Sequence, residues 1–298
     1  MKWGSSDLLN GKVALVTGGG QGIGGATVDA LVDWGAHVMI ADLDQSKIDK
    51  KIAQHGDRVA GFCVDLTADG AAEELVDATA SRFGALDIVV NNAGYSWDSS
   101  IVKMTDEQFT AMMNIHVEVP FKVMRAAAQR MIPIAKEELS QGQITQRKFV
   151  NVASGAYGGL AGASNYASAK AGVIGLTKSA AKEWGRYNFN VNSVAFGAIF
   201  TRMGAASGEE NFIEVDGKRI PIGIDPAHLK RLGMELPDAK EIENSITIST
   251  PMAVVPLGGR TGTMEEAAAS ILFLCSPLAD YVHGQTLVVS GGITGFMS

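Results

Sequence analysis

Hydrophobic residues along this chain gather in short runs that alternate with longer segments of helical spacing. Most of the runs are unbroken and rich in β-branched residues, which is typical of strands buried on both faces of a sheet. They lie at 13–17, 37–41, 59–64, 87–91, 148–153, 190–194 and 286–289. Helices are predicted at 22–33, 45–54, 71–83, 106–132, 168–187 and 265–274. Thr263 and Glu266 form a capping box at the start of the last helix.

A chain that alternates strands and helices in this way is expected to form an α/β Rossmann fold with a doubly wound, seven-stranded parallel sheet. No repeat or low-complexity linker divides the sequence, so a single domain spanning 1–298 is predicted. Two stretches interrupt the alternation. The stretch at 133–147 is polar, whereas 203–250 combines prolines, an excess of acidic residues and interspersed apolar residues. A long segment inside a compact domain is usually either functional or disordered, and the apolar residues of 203–250 favour an ordered flap over the site rather than a flexible loop.

Composition and charge exclude several classes of function. The formal net charge of -7 argues against binding to a nucleic-acid backbone. No apolar run reaches the ~18 residues that cross a membrane, and the first residues lack a signal-peptide pattern. A cytoplasmic protein without membrane or nucleic-acid partners is therefore expected. Cys63 and Cys275 belong to no metal-binding pattern, so no metal is predicted and both are expected to be buried.

A glycine-rich turn follows the first predicted strand and leads directly into a helix. Residues 17–24 read Thr-Gly-Gly-Gly-Gln-Gly-Ile-Gly. Glycines let the backbone approach a pyrophosphate, and the N–H groups at a helix N-terminus bind it. Because the turn has the required strand and helix on either side, it predicts dinucleotide binding. The expected contacts are Gly18, Gln21, Gly22, Ile23 and Gly24.

Asp42 predicts which dinucleotide is bound. It ends the second strand, roughly 20 residues after the turn, where a carboxylate accepts the ribose hydroxyls and repels a 2′-phosphate. No Lys or Arg between Gly18 and Lys47 could neutralise such a phosphate, so NAD is predicted over NADP. Asp42 could instead cap the next helix, although Asp44 could do that. The other expected contacts of the adenosine are Leu43, Asp65 and Leu66; Asp65 could equally cap a helix.

The glycine turn, Asn91-Asn92-Ala93-Gly94 and Tyr166-Ala167-Ser168-Ala169-Lys170 together resemble the short-chain dehydrogenase/reductase family. The resemblance extends from about residue 9 to residue 292 and fails only across the two interrupting stretches. It implies an oxidoreductase that moves a hydride between a secondary alcohol and a ketone. It also implies that Asn92, Ala93 and Gly94 contact the cofactor.

Tyr166 and Lys170 are four residues apart and therefore share one face of a helix. A free tyrosine has a pKa near about 10. A neighbouring ammonium stabilises the phenolate, so we expect Lys170 to lower the pKa of Tyr166. The resemblance gives Tyr166 the proton transfer, and gives Lys170 the nicotinamide ribose and a part in a proton relay.

The resemblance assigns two further catalytic residues. Ser154 would hydrogen-bond the substrate oxygen, although it precedes Tyr166 by 12 residues, one fewer than is usual, and Ala153 holds the usual position. Asn114 would bind a relay water through its backbone carbonyl, the alternative being a helix residue that makes a local bond. His116 is predicted to be a packing or capping residue.

The segment at 192–201 resembles the part of the family that contacts nicotinamide, with Phe196 where proline is usual. The expected contacts are Gly197, Ile199 and Thr201. The candidate substrate walls, besides Ser154, are mostly apolar or aromatic: Trp97, Ala156, Tyr157 and Met203. Such walls suit a hydrophobic alcohol or ketone.

Other functions stay open. The family includes reductases of 3-oxoacyl thioesters of acyl carrier protein or coenzyme A, which would need a basic docking patch; Lys122, Arg125 and Arg130 lie on one helix. A noncatalytic, NAD-sensing protein would usually have lost the Tyr166–Lys170 pair. A sugar-nucleotide epimerase shares that pair but would show a different glycine turn. The family's long helices imply a homotetramer or a homodimer.

Overall fold

The strands and helices lie close to the predicted segments. The computed structural model describes residues 8–204, 211–215, 217–223 and 255–293; the predicted flap at 203–250 falls largely outside them. The strands are β1 Val13–Thr17, β2 His37–Asp42, β3 Val59–Cys63, β4 Ile88–Asn91, β5 Arg147–Ser154, β6 Phe189–Phe196, β7 Phe212–Val215, β8 Lys218–Pro221 and β9 Thr286–Val289. The helices are α1 Gly22–Asp33, α2 Gln45–His55, α3 Ala71–Phe83, α4 Asp106–Met113, α5 Val119–Ser140, α6 Ser164–Trp184 and α7 Met264–Cys275.

Within the described ranges, the main sheet has seven parallel strands in the order β3-β2-β1-β4-β5-β6-β9. The predicted doubly wound Rossmann sheet is therefore confirmed. The strand order reverses between β1 and β4, and ligands of such sheets bind at this point, beyond the carboxyl ends of the strands. β7 and β8 form a separate antiparallel hairpin inside the predicted flap.

Successive residues of each central strand enter opposite hydrophobic layers. Leu15, Val89 and Phe149 pack against α3, α4 and α5 on one face. Val16 and Val90 pack with α1, α2 and α7 on the other. Because both faces are covered, the strands carry the unbroken apolar runs that predicted them. No helix of the described chain is long and apolar enough to span a bilayer.

The helix predicted at 106–132 is both interrupted and extended. A π-helical turn at Asn114–Glu118 separates α4 from α5. α5 then continues through Pro133 to Ser140, so most of the polar stretch at 133–147 is helix. A proline inside a helix frees the carbonyl four residues earlier. Pro133 is exposed, and water on that side can solvate the freed carbonyl.

The prediction that both cysteines are buried is wrong for Cys63. Cys275 is buried, but Cys63 is exposed at the end of β3. β3 is the outermost strand beside β2 in the described sheet, so part of its surface faces solvent. An apolar run does not distinguish such an edge strand from a central one.

Candidate active site

A cavity of about 1160 Å³ opens at the carboxyl ends of the central strands. Drug-sized ligands occupy cavities of about 300–1,000 Å³, so this one has room for a dinucleotide and a substrate. All the cofactor contacts expected from the sequence line it: Gly18, Gln21, Gly22, Ile23, Gly24, Asp42, Leu43, Asp65, Leu66, Asn92, Ala93, Gly94, Tyr166, Lys170, Gly197, Ile199 and Thr201.

The glycine turn is packed tightly between α1 and the end of β4. A side chain at Gly24 would bring its Cβ to 2.0 Å from the carbonyl oxygen of Gly18, so only glycine fits there. Asn92 Nδ2 donates to the carbonyl oxygens of Thr17 at 3.0 Å and Gly18 at 3.1 Å. Gln21 gives α1 no side-chain cap, which leaves the first N–H groups of the helix for a phosphate. The turn fits a dinucleotide.

Asp42 faces the same cavity from the end of β2. Its Oδ2 accepts the N–H of Gly20 at 2.9 Å, and its Oδ1 accepts the N–H of Asp44 at 3.1 Å. Asp44 caps α2, because its side chain accepts from the N–H of Ser46. The alternative that Asp42 caps this helix is thereby excluded.

Asp65 lines the same cavity. It accepts two hydrogen bonds from Thr67 in a local turn. It does not cap α3, whose N-cap is Gly70, and its contact with adenosine stays a prediction.

Tyr166 and Lys170 share one face of α6, which begins at Ser164, earlier than predicted. Lys170 Nζ lies 5.4 Å from the centre of the Tyr166 ring and donates to the carbonyl oxygen of Val152 at 2.7 Å. Ser154, the last residue of β5, lies close enough to Tyr166 to lower the pKa of its hydroxyl, and its Oγ accepts the N–H of Ala156 at 3.2 Å. The serine therefore reaches the tyrosine despite the shortened spacing.

Burial dominates the ionisation of this pair. It raises the pKa of Tyr166 to about 12, against a lowering by the nearby Ser154 side chain and a further rise from the charge of Asp98. Burial also lowers the pKa of Lys170 to about 7. The expected lowering of the pKa of Tyr166 by the Lys170 ammonium is not seen in this structure, because burial raises that pKa and Lys170 is not among the groups that act on it.

Asn114 begins the π-helical turn. Its carbonyl oxygen accepts the N–H of Val119, a local backbone bond. Among the described residues, the cavity wall includes Ile115 and His116 but not Asn114. The Asn114 Oδ1 is buried and has no hydrogen-bond partner in the described part of the chain. The relay role of its carbonyl stays a prediction.

His116 is buried in the cavity wall, and its predicted packing role is confirmed. Its Nε2 donates to the carbonyl oxygen of Tyr95 at 2.7 Å, and its ring meets the Tyr166 ring edge-on at 5.1 Å. A Cβ on Gly94 would lie 2.1 Å from this ring, so only glycine fits at position 94. Burial, assisted by the charge of Lys170, lowers the pKa of His116 well below its usual value.

The segment after β6 reaches the cavity without the usual proline. Phe196 is the buried last residue of the strand. The Gly197 N–H donates to the Val289 carbonyl oxygen at 3.0 Å, which ties the segment to β9. Ile199 and Thr201 follow in the cavity wall.

The expected substrate residues are only partly brought together. Ser154 and Met203 line the large cavity. Ala156 and Tyr157 lie in a 3₁₀ turn that folds back against α6, and the described wall does not include them. Trp97 lines a second cavity of about 350 Å³ beside the hairpin. The assignment of Trp97, Ala156 and Tyr157 to the substrate wall therefore stays a prediction.

Comparison with known proteins agrees with this geometry. The family model described as short chain dehydrogenase matches residues 12–211, more than half of the chain. The chain belongs to the short-chain dehydrogenase family. A second model, described as enoyl-(acyl carrier protein) reductase, matches residues 229–294. A short-chain dehydrogenase is an oxidoreductase that uses a nicotinamide cofactor and a small-molecule substrate.

Relatives of this short-chain dehydrogenase match it over nearly their whole length. A 3-oxoacyl-[acyl-carrier-protein] reductase of Vibrio cholerae is 33% identical, covering 96% of this chain and 98% of its own. A (2S)-[(R)-hydroxy(phenyl)methyl]succinyl-CoA dehydrogenase subunit of Thauera aromatica is 30% identical, with 95% and 97% covered. Zerumbone synthase of Zingiber zerumbet is 31% identical, with 96% of each chain covered.

Asp98 is a cavity residue that the sequence did not single out. It lies on the loop after β4 and lines the cavity near Tyr166, on which its charge acts. Although part of its surface is open, the surrounding protein raises its pKa to about 6. A lone aspartate in a loop belongs to no motif, so only the fold could reveal it.

Two cations beside the glycine turn also went unpredicted. Lys47 Nζ contacts the Gln21 side-chain oxygen, and Arg202 Nη1 donates to the same oxygen at 3.2 Å. Arg202 Nη2 also donates to the carbonyl oxygen of Phe212 in β7, at 3.2 Å. Lys47 lies only five positions after Asp42, but the return of α2 toward the turn is a tertiary feature that spacing does not show.

Proposed function

We propose that this short-chain dehydrogenase is an NAD-dependent reductase of 3-oxoacyl thioesters that also catalyses the reverse oxidation of 3-hydroxyacyl thioesters. The observation that carries the proposal is that Ser154, Tyr166 and Lys170 line one cavity together with the glycine turn. A substrate oxygen beside both hydroxyls would receive a hydrogen bond from Ser154 and a proton from Tyr166.

The ionisation of the site supports reduction at neutral pH. Burial keeps Tyr166 protonated, so it is ready to act as an acid. The Ser154 hydroxyl polarises the carbonyl, and Tyr166 transfers its proton to the oxygen as the carbon receives hydride. The reduced cofactor, NADH, would supply that hydride when bound. Lys170 then returns a proton to Tyr166, a role that suits its pKa of about 7.

The choice of NAD over NADP rests on Asp42. Its carboxylate suits the adenosine ribose hydroxyls and would repel a 2′-phosphate. Lys47 is a nearby cation, but its Nζ lies 4.0 Å from the Asp44 carboxylate and contacts Gln21. Because its charge is already paired with Asp44, Lys47 is poorly suited to offset the repulsion between Asp42 and a 2′-phosphate.

A thioester substrate is supported by what the relatives' names state, and coenzyme A is favoured over acyl carrier protein. The helical patch that could dock a carrier protein is neutralised by carboxylates. Lys122 pairs with Glu118 at 2.9 Å and Arg125 pairs with Glu73 at 3.0 Å, and the third member, Arg130, lies 3.3 Å from an aspartate. Paired surface charges attract an acidic partner weakly.

A hydrophobic alcohol or ketone is the second candidate. Leu160, Met203, Ile213 and Ile222 give the substrate end of the cavity an apolar wall. Such a wall would suit a cyclic or terpene-like molecule, and zerumbone synthase is among the relatives. The same Ser154–Tyr166 chemistry would serve it.

The decisive experiment measures kcat/KM with NADH and NADPH on three substrate types: a 3-oxoacyl-CoA, the same acyl group on carrier protein, and a panel of cyclic and steroidal ketones. We expect the highest value for 3-oxoacyl-CoA with NADH. A clear preference for the cyclic panel would establish the second candidate instead. Tyr166→Phe should abolish turnover while NAD affinity is kept; unchanged turnover would contradict the mechanism, and no turnover by the unaltered protein would favour a noncatalytic role.

We also propose a homotetramer or homodimer, and cytoplasmic localisation stays a prediction. Phe109 on α4 and Phe121 on α5 are 42% and 45% exposed, which suits helices that pack against another copy. Light scattering after size-exclusion chromatography tests this, and a monomer at micromolar concentration would contradict it.

A further inference from the structure

Asn165, the residue before Tyr166, is fully buried and has no part in the chemistry described so far. Its side chain makes three hydrogen bonds. Nδ2 donates to the carbonyl oxygens of Trp97 and Gln108, each at 3.0 Å, and Oδ1 accepts the N–H of Tyr166 at 2.8 Å. One side-chain amide therefore joins the loop after β4, α4 and the first turn of α6.

The bond to Tyr166 supplies a partner that the start of α6 lacks. The first N–H groups of a helix have no carbonyl partner within it. Ala163, which precedes α6, makes no side-chain cap. The N–H of Ala167, one residue after Tyr166, already reaches the Ala163 carbonyl oxygen at 2.8 Å. Among the described residues, the acceptor of the Tyr166 N–H is Asn165 Oδ1.

The bonds of Nδ2 hold the cavity wall against the start of this helix. The Trp97 carbonyl belongs to the loop that also carries Tyr95 and Asp98, and both of these line the large cavity. The same loop reaches the residues before α6 at a further point, where the N–H of Ser99 donates to the Gly162 carbonyl oxygen at 2.8 Å. The amide therefore fixes the main chain of the tyrosine relative to this part of the wall.

Small displacements of Tyr166 are expected to be costly. A general acid acts within hydrogen-bond reach of the atom it protonates, and a misplacement of about 1 Å can lower a rate about a hundredfold. The Tyr166 ring packs edge-on against His116, with 5.1 Å between the ring centroids, but this contact does not hold the main chain. The main-chain position of Tyr166 depends instead on the amide before it.

A second buried asparagine provides a matched comparison. Asn151 on β5 is also fully buried; its Nδ2 donates to Thr177 Oγ1 at 2.9 Å, and its Oδ1 accepts from Asn91 Nδ2 at 2.8 Å. These bonds join β5 to a later turn of α6 and to β4, and none of the three residues lines the described cavity. The two asparagines are equally buried and similarly bonded, but Asn151 is remote in sequence from Tyr166.

We propose that Asn165 is a positioning residue for the proton transfer by Tyr166: its side-chain amide holds the Tyr166 main chain at a fixed distance from the loop that forms part of the cavity wall. The inference rests on the proposed function, in which Tyr166 protonates the substrate oxygen. No proton passes through the amide, and Asn165 does not line the described cavity. Loss of the amide should therefore lower kcat without lowering NAD affinity.

The first test compares Asn165→Ala with Asn151→Ala. Both should lose thermal stability, because each leaves buried hydrogen-bonding groups without partners. In Asn165→Ala, kcat per folded protein should fall by about tenfold to a hundredfold, with NAD affinity kept within about twofold. In Asn151→Ala, kcat should change by less than about twofold. An equal loss of kcat in both variants, or an unchanged kcat in Asn165→Ala, would overturn the proposal.

Asn165→Asp keeps the proposal testable if alanine prevents folding. Its carboxyl retains the acceptor for the Tyr166 N–H. Because burial raises the pKa of a carboxyl, the protonated form at low pH also donates to one of the two carbonyl oxygens, whereas the carboxylate donates to neither. Relative to the unaltered protein, kcat should be within about threefold near about pH 5.5 and lower by at least about tenfold near about pH 8. A ratio that does not change with pH would contradict the positioning role.

A measurement without substrate separates this proposal from the proposed function. Amide hydrogen exchange is followed by NMR on protein labelled at its five tyrosines, with the Tyr166 signal assigned by its loss in Tyr166→Phe. We expect exchange of the Tyr166 N–H to be at least about tenfold faster in Asn165→Ala than in Asn151→Ala. Equal rates in the two variants would overturn the proposal. If the unaltered protein turns over no substrate, the proposed function fails, and the difference in exchange still supports the hold of Asn165 on Tyr166.

Discussion

The two ends of the large cavity are held in place by different means. At the glycine-turn end, side chains hold the main chain: Asn92 binds the carbonyl oxygens of the turn, and Asp42 binds the N–H of Gly20. At the hairpin end, the wall consists of side chains of β7 and its surroundings, such as Ile213 and Ile222. Relatives share the cofactor, so a binding site made of a fixed main chain, here the glycine turn, suits it. Their substrates differ, so a wall made of side chains, which substitution can change, suits the substrate end.

The largest effect is expected where a side chain would enter the backbone cradle. Gly24→Ala would put a Cβ against the Gly18 carbonyl oxygen, so the turn must shift and NAD affinity should fall by at least about a hundredfold. Gly175→Ala, also within a helix, is the control, because no heavy atom lies within 4 Å of its added Cβ. It should leave affinity unchanged and stabilise the fold by about 0.5–1 kcal/mol. Calorimetric titration with NAD compares them, and equal affinities would contradict the cradle.

Lys170→Met tests the catalytic pair, which lines the same cavity as the glycine turn and the hairpin. Turnover should fall by about 10²–10⁴-fold, since proton return to Tyr166 is lost. Because burial lowers the pKa of Lys170 to about 7, the folded state bears the cost of burying a charge fully below about pH 7, and this cost disappears as pH rises toward 10.5. The variant should therefore be more stable by about 2–4 kcal/mol at pH 7, allowing for the lost hydrogen bond to Val152.

Urea unfolding at pH 7 and pH 10 measures this gain. Lys178→Met, at an exposed position of the same helix, is the control and should change stability little at either pH. A gain of equal size at both pH values would show that the effect is packing and not the buried charge.

Asp42→Asn tests whether the Asp42 carboxylate selects NADH over NADPH. Removing the charge while keeping the hydrogen-bonding shape should reduce the preference for NADH over NADPH by about tenfold. Asp49→Asn, at an exposed position of α2 outside the cavity wall, is the matched control and should leave the preference unchanged. Steady-state kcat/KM with both cofactors tests this, and an equal change in both variants would exclude Asp42 as the selective group.

Ile213→Ser tests the hairpin end and should have the smallest effect. We expect the KM of the preferred ketone to rise about threefold to tenfold, because apolar contact is lost, while NAD affinity stays constant. Lys218→Gln changes an exposed residue of the same hairpin that pairs with Glu107, and it should alter neither value. A reduced NAD affinity in Ile213→Ser would mean that the two ends are not separately held.

Features that depend on the main chain could be predicted from the sequence. Unbroken apolar runs indicated the central strands, and glycine spacing indicated the cradle, because both requirements act on adjacent residues. The π-helical turn Asn114–Glu118 was not predicted, because an extra residue in one turn only shifts the apolar pattern of the following turns by one position, and so small a shift is easily missed in a single sequence. Pro133 suggested that the helix ends at residue 132. The free energy that a proline costs inside a helix depends on whether water can solvate the freed carbonyl, and the sequence does not show that exposure.

Residues of the site were predictable when a motif marked them and not otherwise. Ser154, Tyr166 and Lys170 stand in recognisable patterns, whereas Asp98 and Arg202 reach the cavity only through the packing of distant loops. The ionisation of Tyr166 also required the fold. From sequence, Lys170 was expected to dominate, but the depth at which both groups are buried reverses the direction of the shift in pKa.

The exposed end of β3 offers a practical handle on the cofactor. Of the two cysteines, Cys275 is buried, so Cys63 is the accessible thiol. Its Sγ donates to the carbonyl oxygen of Leu43, the residue next to Asp42, at 3.4 Å. A single fluorophore or spin label can therefore be attached to the unaltered chain beside the adenosine end of the cavity, where it would report occupancy without an engineered cysteine.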